Sequence, residues 1–277
     1  MNSVFKPDIL TTRPHGIMEE KKKNNYCQLV VGPPGAGKTT YCKNMVSFLL
    51  SIKKFPVFIN LDPGNENEPL AKINICDLIF SREISSELHL GPNGSILFSM
   101  EIFEKNLDWF EKKIKKILKF SFPVFFLIDL PGQIEIFTHH SSIRKLISRI
   151  KKEKISLISV IISDSLYWKD KSIVYSVLVM CLSILLNLEL SHINLLSKTD
   201  LIFFDPIGLD IFQKPQNIFF QLNFSLGSIF YWANKFNNCL DEFIFDFSSL
   251  TTLAVNLFNI EHIRKIFFNI FKNLNRF

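Results

Sequence analysis

Residues Gly32-Pro33-Pro34-Gly35-Ala36-Gly37-Lys38-Thr39 match G-x-x-x-x-G-K-[ST] without interruption. Glycines at this spacing let consecutive backbone N–H groups turn toward one anion, and a helix starting at the lysine adds its positive N-terminal end. Gly35, Ala36 and Gly37 therefore read as a phosphate cradle, with Thr40 counted among the nucleotide-binding residues. Lys38 neutralises the outer phosphates, and the Thr39 hydroxyl is a candidate ligand for Mg2+. The flanks support this reading. Cys27 to Val31 reads as a short buried strand, and Tyr41, Met45, Phe48 and Leu49 recur at helical spacing. Strand, loop and helix in that order predict an α/β fold.

With 277 residues the chain is long enough for a large core. A flexible arm over residues 1–25, which lacks an apolar signal-like core, followed by one domain over 26–277 is expected. The net charge of +6 invites a nucleic-acid reading, but the lysines are spread thinly and the basic runs Lys21 to Lys23, Lys112 to Lys116 and Lys151 to Lys154 show no aromatic interleaving. No nucleic-acid partner is expected. Five scattered cysteines without a C-x-x-C pair fit a reducing compartment with neither disulfides nor zinc. Ser172 to Leu188 is uncharged, yet its serines and the strands on both sides predict a core-facing helix, so no membrane span is expected.

Further along, Pro56 to Leu61 reads as a strand ending on Asp62-Pro63-Gly64. An acidic group at the carboxyl end of a parallel strand sits where such sheets bind ligands, so Asp62 is a candidate for the metal shell or the attacking water. A turn-forming Asp before Pro is the competing reading. A short helix is expected around Asp77 to Arg82, a tight exposed loop at Leu90 to Gly94, and one amphipathic helix from Ser95 to Lys119. Pro123 to Ile128 reads as a buried strand that delivers Asp129-Leu130-Pro131-Gly132-Gln133. Asp129 can hold Mg2+ through water, the Gly132 N–H can bond a γ-phosphate, and Gln133 can orient the hydrolytic water. His139 and His140 read as helix-surface residues. Adjacent side chains do not easily converge on one ion.

Ile155 to Ile162 and His192 to Leu196 are further strands. The second ends at Ser197-Lys198-Thr199-Asp200, which resembles the guanine-reading [NS]-K-x-D element. The Asp200 carboxylate can accept both N–H bonds from guanine N1 and N2, a pattern adenine does not offer, and the Lys198 stem can lie over the base. Residues 202–247 are expected to form a helical insertion. A last strand at Leu250 to Val255 would bring Ala254 and Val255 to the base, and Ile260 to Leu274 reads as the closing helix.

This order of elements resembles the GPN-loop GTPases over about residues 26–270, and within them the second eukaryotic paralogue. The resemblance is carried by Gly32 to Cys42, Asn60 to Asn65, Leu90 to Gly94, Leu130 to His140 and Leu188 to Leu201. Ser197 replaces the usual Asn, and Leu253 to Val255 is only loosely like the family's base-contact loop. The resemblance implies a doubly wound, mostly parallel sheet with helices on both faces. It turns Gly91-Pro92-Asn93 into a signature loop whose Asn93 reaches across a dimer to the phosphates of the facing subunit, and it supports Asp62 and Gln133 as water-positioning residues. It further implies GTP as substrate with Mg2+, and a homodimer or a heterodimer with a paralogue. Its other implications are a role in assembly or nuclear import of RNA polymerase II, with that enzyme's subunits or assembly factors as partners, and a cytoplasmic protein shuttling to the nucleus. The competing classes are a P-loop ATPase or kinase and a module holding GTP as a structural ligand. Arg82, Arg144, Arg149 and Arg264 form no lid-like cluster in sequence and an ATPase or kinase leaves Ser197 to Asp200 unexplained, while the intact Asp129 and Gln133 argue against a module that only holds GTP.

Overall fold

The computed structural model describes residues 24–66, 68–138, 140–169, 171–201, 235 and 252–274. Apolar, β-branched runs form the centre. Strands β1 (Asn25–Val31), β2 (Phe55–Asn60), β3 (Ile73–Asn74), β4 (Val124–Asp129), β5 (Ile155–Asp164), β6 (His192–Ser197) and β7 (Thr252–Ala254) make one sheet in the order β3-β2-β4-β1-β5-β6-β7. Every pairing is parallel. β4 and the interior of β5 are buried on both faces, as a parallel sheet covered by helices requires.

Helix α1 (Lys38–Ser51) and the closing helix α8 (Ile260–Leu274) cover one face through Tyr41, Met45, Ile263 and Ile266. The other face carries α3 (Pro92–Lys105), α4 (Leu107–Leu118), α6 (Ser142–Lys152) and α7 (Lys171–Leu188), which contribute Phe103, Phe110, Leu146 and Cys181 to a second core. Two shorter helices, α2 (Ser81–Leu88) and α5 (Glu135–Thr138), complete the described set. The connection from β1 runs over β4 to β2, while β5 lies on the other side of β1. The carboxyl end of β1 is thus the switch point at which such sheets bind ligands.

Several expectations shift. The single helix expected over Ser95 to Lys119 is two, because the Asn106 N–H bonds to the Ile102 and Phe103 carbonyls, its side chain caps Ile102 again, and the chain restarts at Leu107. The helix expected around Asp77 to Arg82 is a 3-10 turn at Ile75–Asp77 followed by α2. Pro92 and Asn93 are not a free turn but the first turn of α3, where proline's fixed φ and missing N–H suit the N1 position. His140 lies between α5 and α6 and not on a helix face; His139 is outside the described residues. The arm over 1–25, apart from Asn24 and Asn25, and the insertion over 202–247, apart from Lys235, also lie outside them. α7 buries Leu178 and Cys181 against the sheet, and among the described residues no helix is long and apolar enough to cross a membrane.

Candidate nucleotide site

The phosphate loop is built where β1 hands over to α1. A Cβ on Gly32 would lie 2.1 Å from the Ile162 carbonyl oxygen of β5, so only glycine lets the chain leave the sheet here. The loop closes with the Ala36 N–H on the Pro33 carbonyl at 3.3 Å, and Gly37 enters α1 with φ of 93°. Lys38 is buried, and its Nζ donates to the carbonyls of Gly32 at 3.1 Å and Pro33 at 3.2 Å. Burial lowers its pKa, opposed by the carboxylates of Asp129 and Asp62.

Thr39 Oγ1 donates to Asp129 Oδ2 at 2.6 Å, joining the first turn of α1 to the end of β4. Asp129 is fully buried and its second oxygen, Oδ1, has no hydrogen-bond partner. Burial pushes this carboxyl up to about 6; the Thr39 hydrogen bond works against that shift, while the charge of Asp62 adds to it. Three residues on, the chain crosses the phosphate loop so closely that a Cβ on Gly132 would lie 2.7 Å from Pro34 N and 3.0 Å from Lys38 Nζ. The neighbouring Gln133 has a buried, unpartnered Oε1.

Asp62 forms the turn that the competing reading expects. Its Oδ1 accepts from the Gly64 N–H at 2.9 Å, forming the turn, and its charge acts on both Lys38 and Asp129. Burial raises the Asp62 pKa, opposed by the Gly64 N–H and Lys38. The turn is fixed from beneath by Asn60, fully buried, whose Oδ1 accepts from the Asp62 N–H and whose Nδ2 donates to the Asn65 carbonyl at 2.7 Å. Asn65 Nδ2 reaches to 3.5 Å from Thr39 Oγ1. Glu68 is buried and paired with Lys43 at 2.8 Å, one turn beyond Thr39 on α1. Lys43 and Glu68 belong to no spacing motif, and Asn60 and Asn65 gain their roles in holding the turn only from the fold.

Gly91, Pro92 and Asn93 are exposed at the start of α3. The Gly91 and Pro92 carbonyls are taken by Ser95, through its N–H at 3.0 Å and its hydroxyl at 2.9 Å, which leaves Asn93 on the outer surface.

At the other end of the site, the Ser197 hydroxyl donates to the Ala36 carbonyl at 2.7 Å, tying the end of β6 to the phosphate loop. Lys198 takes a left-handed conformation (φ of 59°) and pairs with Asp164 at 2.6 Å. The Lys198 carbonyl accepts from the Ser165 hydroxyl, and Asp200 is presented, exposed, on a 3-10 turn at Thr199–Leu201. Asp164 is the last residue of β5, and the fold pairs it with Lys198. The segment containing Ala254 and Val255 is joined to β6 by the Val255 N–H on the Leu196 carbonyl. Its continuation meets α1, where Asn44 donates to the Leu257 carbonyl at 2.8 Å.

Among the described residues no three His, Cys, Asp or Glu side chains converge on a metal position. Mg2+ needs no such cage, since it keeps several waters and takes one or two protein oxygens beside substrate phosphates. The orphaned Asp129 Oδ1 next to the Thr39 hydroxyl fits that demand.

Residues 30–272 match a family described as conserved hypothetical ATP binding protein. The chain is 37% identical to GPN-loop GTPase 2 of Danio rerio over 246 residues, covering 86% of this chain and 77% of the relative. It is 45% identical to a GPN-loop GTPase 2 homolog of Dictyostelium discoideum over 176 residues, covering 63% and 55%. The crystal structure of a GTPase in apo form from Pyrococcus abyssi superposes with a TM-score of 0.71 at 21% identity, covering 89% of this chain and 96% of that one.

Proposed function

This chain belongs to the GPN-loop GTPases, and from that premise we propose that it is a Mg2+-dependent, GTP-hydrolysing switch whose sites are completed by a second GPN-loop subunit. The observation that carries the reading is Asp129. A buried carboxylate with one oxygen held by the Thr39 hydroxyl and the other unpartnered, beside a buried lysine and beneath a glycine crossing, is an unbalanced polar cluster that a metal–triphosphate pair balances.

Thr39 and, through water, Asp129 would hold Mg2+, which when bound neutralises charge on the phosphate oxygens. The amides of Gly35, Ala36, Gly37, Lys38, Thr39 and Thr40 face the phosphates in this reading, and Lys38 exchanges its two loop carbonyls for phosphate oxygens. The Gly132 N–H serves the γ-phosphate. Gln133 and Asp62 orient the attacking water, whose oxygen bonds to the γ-phosphorus as the bond to the β-phosphate oxygen breaks, its proton passing to an oxygen of the released phosphate. Asp200 accepts from the guanine edge, Lys198 lies along the base, and Ser197, Ala254 and Val255 shape the pocket.

Asn93, exposed at the start of α3, would serve the facing subunit, either a second copy or a paralogue. Client assembly, with RNA polymerase II subunits or their assembly factors reading the shape of the dimer in the cytoplasm and on the way to the nucleus, is the role that family membership supports. The ATP named in the family description defines the competing enzyme class. Binding and hydrolysis of GTP against ATP with Mg2+, at rising protein concentration, tests both. A GTP preference with specific activity that rises with concentration supports a dimer-completed GTPase, and equal competition by ATP overturns the base assignment. Turnover too slow to measure, alone and with candidate paralogues, would leave GTP as a structural ligand. Gln133→Leu should slow hydrolysis by about a hundredfold while nucleotide affinity stays unchanged.

A further inference from the structure

We propose that Ser81 is a positioning residue for this reaction, fastening the Asp62 turn to Gly91–Asn93 of the same chain so that the two shift together. The inference rests on the nucleotide-binding reading above. Ser81 opens α2 and is nearly buried; its hydroxyl donates to the Pro63 carbonyl at 3.0 Å and lies 3.3 Å from Glu66 Oε1. Arg82 clamps the same Glu66 at 2.8 Å, so the first turn of α2 grips the Asp62 turn at Pro63 and Glu66. One turn along α2, Ser85 donates to the carbonyl of Leu90, the residue before Gly91, at 2.7 Å.

Asp62 Oδ1 holds the Gly64 N–H within the turn that Ser81 grips. Gly91, Pro92 and Asn93 therefore follow directly on Leu90, a point that α2 ties to the turn that carries Asp62. Short polar bonds and a packed helix of two turns transmit a displacement as a rigid piece, because slack would break the Ser81 and Ser85 hydrogen bonds. A chain that draws its Asp62 turn toward nucleotide thus repositions the Asn93 it presents outward.

The test is amide hydrogen exchange of the segment 90–95 in the full chain, with and without Mg2+ and a slowly hydrolysed GTP analogue, alongside steady-state kinetics. In the wild type the analogue should alter exchange at 90–95 by about fivefold. In Ser81→Ala that response should be lost and kcat should fall by about tenfold, with analogue affinity and KM held within about twofold. Ser81→Thr, which keeps the hydroxyl, should restore both. Arg82→Gln, at an exposed side chain that leaves the fold intact, should weaken the response by releasing Glu66. A full exchange response in both Ser81→Ala and Arg82→Gln, or failure of Thr to rescue, overturns the proposal. Analogue binding with no response at 90–95 in the wild type overturns it alone; no analogue binding at all overturns the nucleotide reading and this proposal with it.

Discussion

At the phosphate end of the site, Asp129 is buried with an unpartnered oxygen and Lys38 is buried against two backbone carbonyls. At the opposite end, Lys198 is matched to Asp164 at 2.6 Å and Ser197 has found the Ala36 carbonyl. Both ends hold charge near the carboxyl edge of one sheet, but only the first leaves it unbalanced. The difference has a physical reading. An end whose polar groups are already paired is preorganised and discriminates among ligands at little cost, whereas an end with buried unpaired charge is stabilised by what binds there. In the proposed site, recognition of the base and dependence on metal and phosphate would therefore be separable.

The comparison breaks most visibly through Asp200. Asp200→Ala should lower the preference for GTP over ATP by about a thousandfold, read from the ratio of their affinities, while Mg2+ dependence is unchanged. A parallel loss of Mg2+ dependence would show that the two ends are coupled. Lys38→Ala should weaken GTP by about a hundredfold or more, through loss of charge-assisted bonds, and should weaken ATP equally.

The pH response sharpens the comparison further. Because burial holds the Asp129 carboxyl up at about 6, the folded chain keeps that proton over a range in which the unfolded chain has released it. The contribution of Asp129 to the ligand-free fold is full near pH 4 and is lost as pH rises through about 6, an effect of about 3 kcal/mol at most. Asp129→Asn should accordingly raise the ligand-free melting temperature by a few degrees at pH 7.5, and the gain should vanish toward pH 4, as calorimetry would show. In the wild type, Mg2+–GTP affinity should fall below pH 6, where a proton competes for the same oxygen. The smallest effect belongs to the paired end: Asp164→Asn should reduce guanine selectivity by about three- to tenfold, because Lys198 loses its partner and its fixed direction.

Much of this was legible in the residues themselves. The phosphate loop, Asp129-x-Pro-Gly-Gln and Ser197-Lys-Thr-Asp each sit within a few residues of a strand end, so local pattern and strand placement suffice to find them. The boundary at Asn106 was not, because the apolar stripe runs unbroken from Leu97 to Leu118 and the helix stops only where the Asn106 side chain and N–H turn back on Ile102 and Phe103. The two residues of β3 are too few to show a period; pairing with Ile59 and Asn60 makes them a strand. Gly-Pro before a helix carried its own signal, proline at N1, and the turn reading of Leu90 to Gly94 gave way to it.

Short-range chemistry was thus determined by sequence alone: which loop turns its amides to an anion, which strands end in acids, which helices show one apolar face. Tertiary structure alone decided which of those acids are balanced. Asp129 keeps one oxygen unpartnered and Asp164 has a lysine because β4 ends over the buried start of α1, while β5 ends beside Lys198 across a parallel ladder. Charge balance depends on distance and burial, and residues 34 or 90 positions apart acquire both only when the sheet forms.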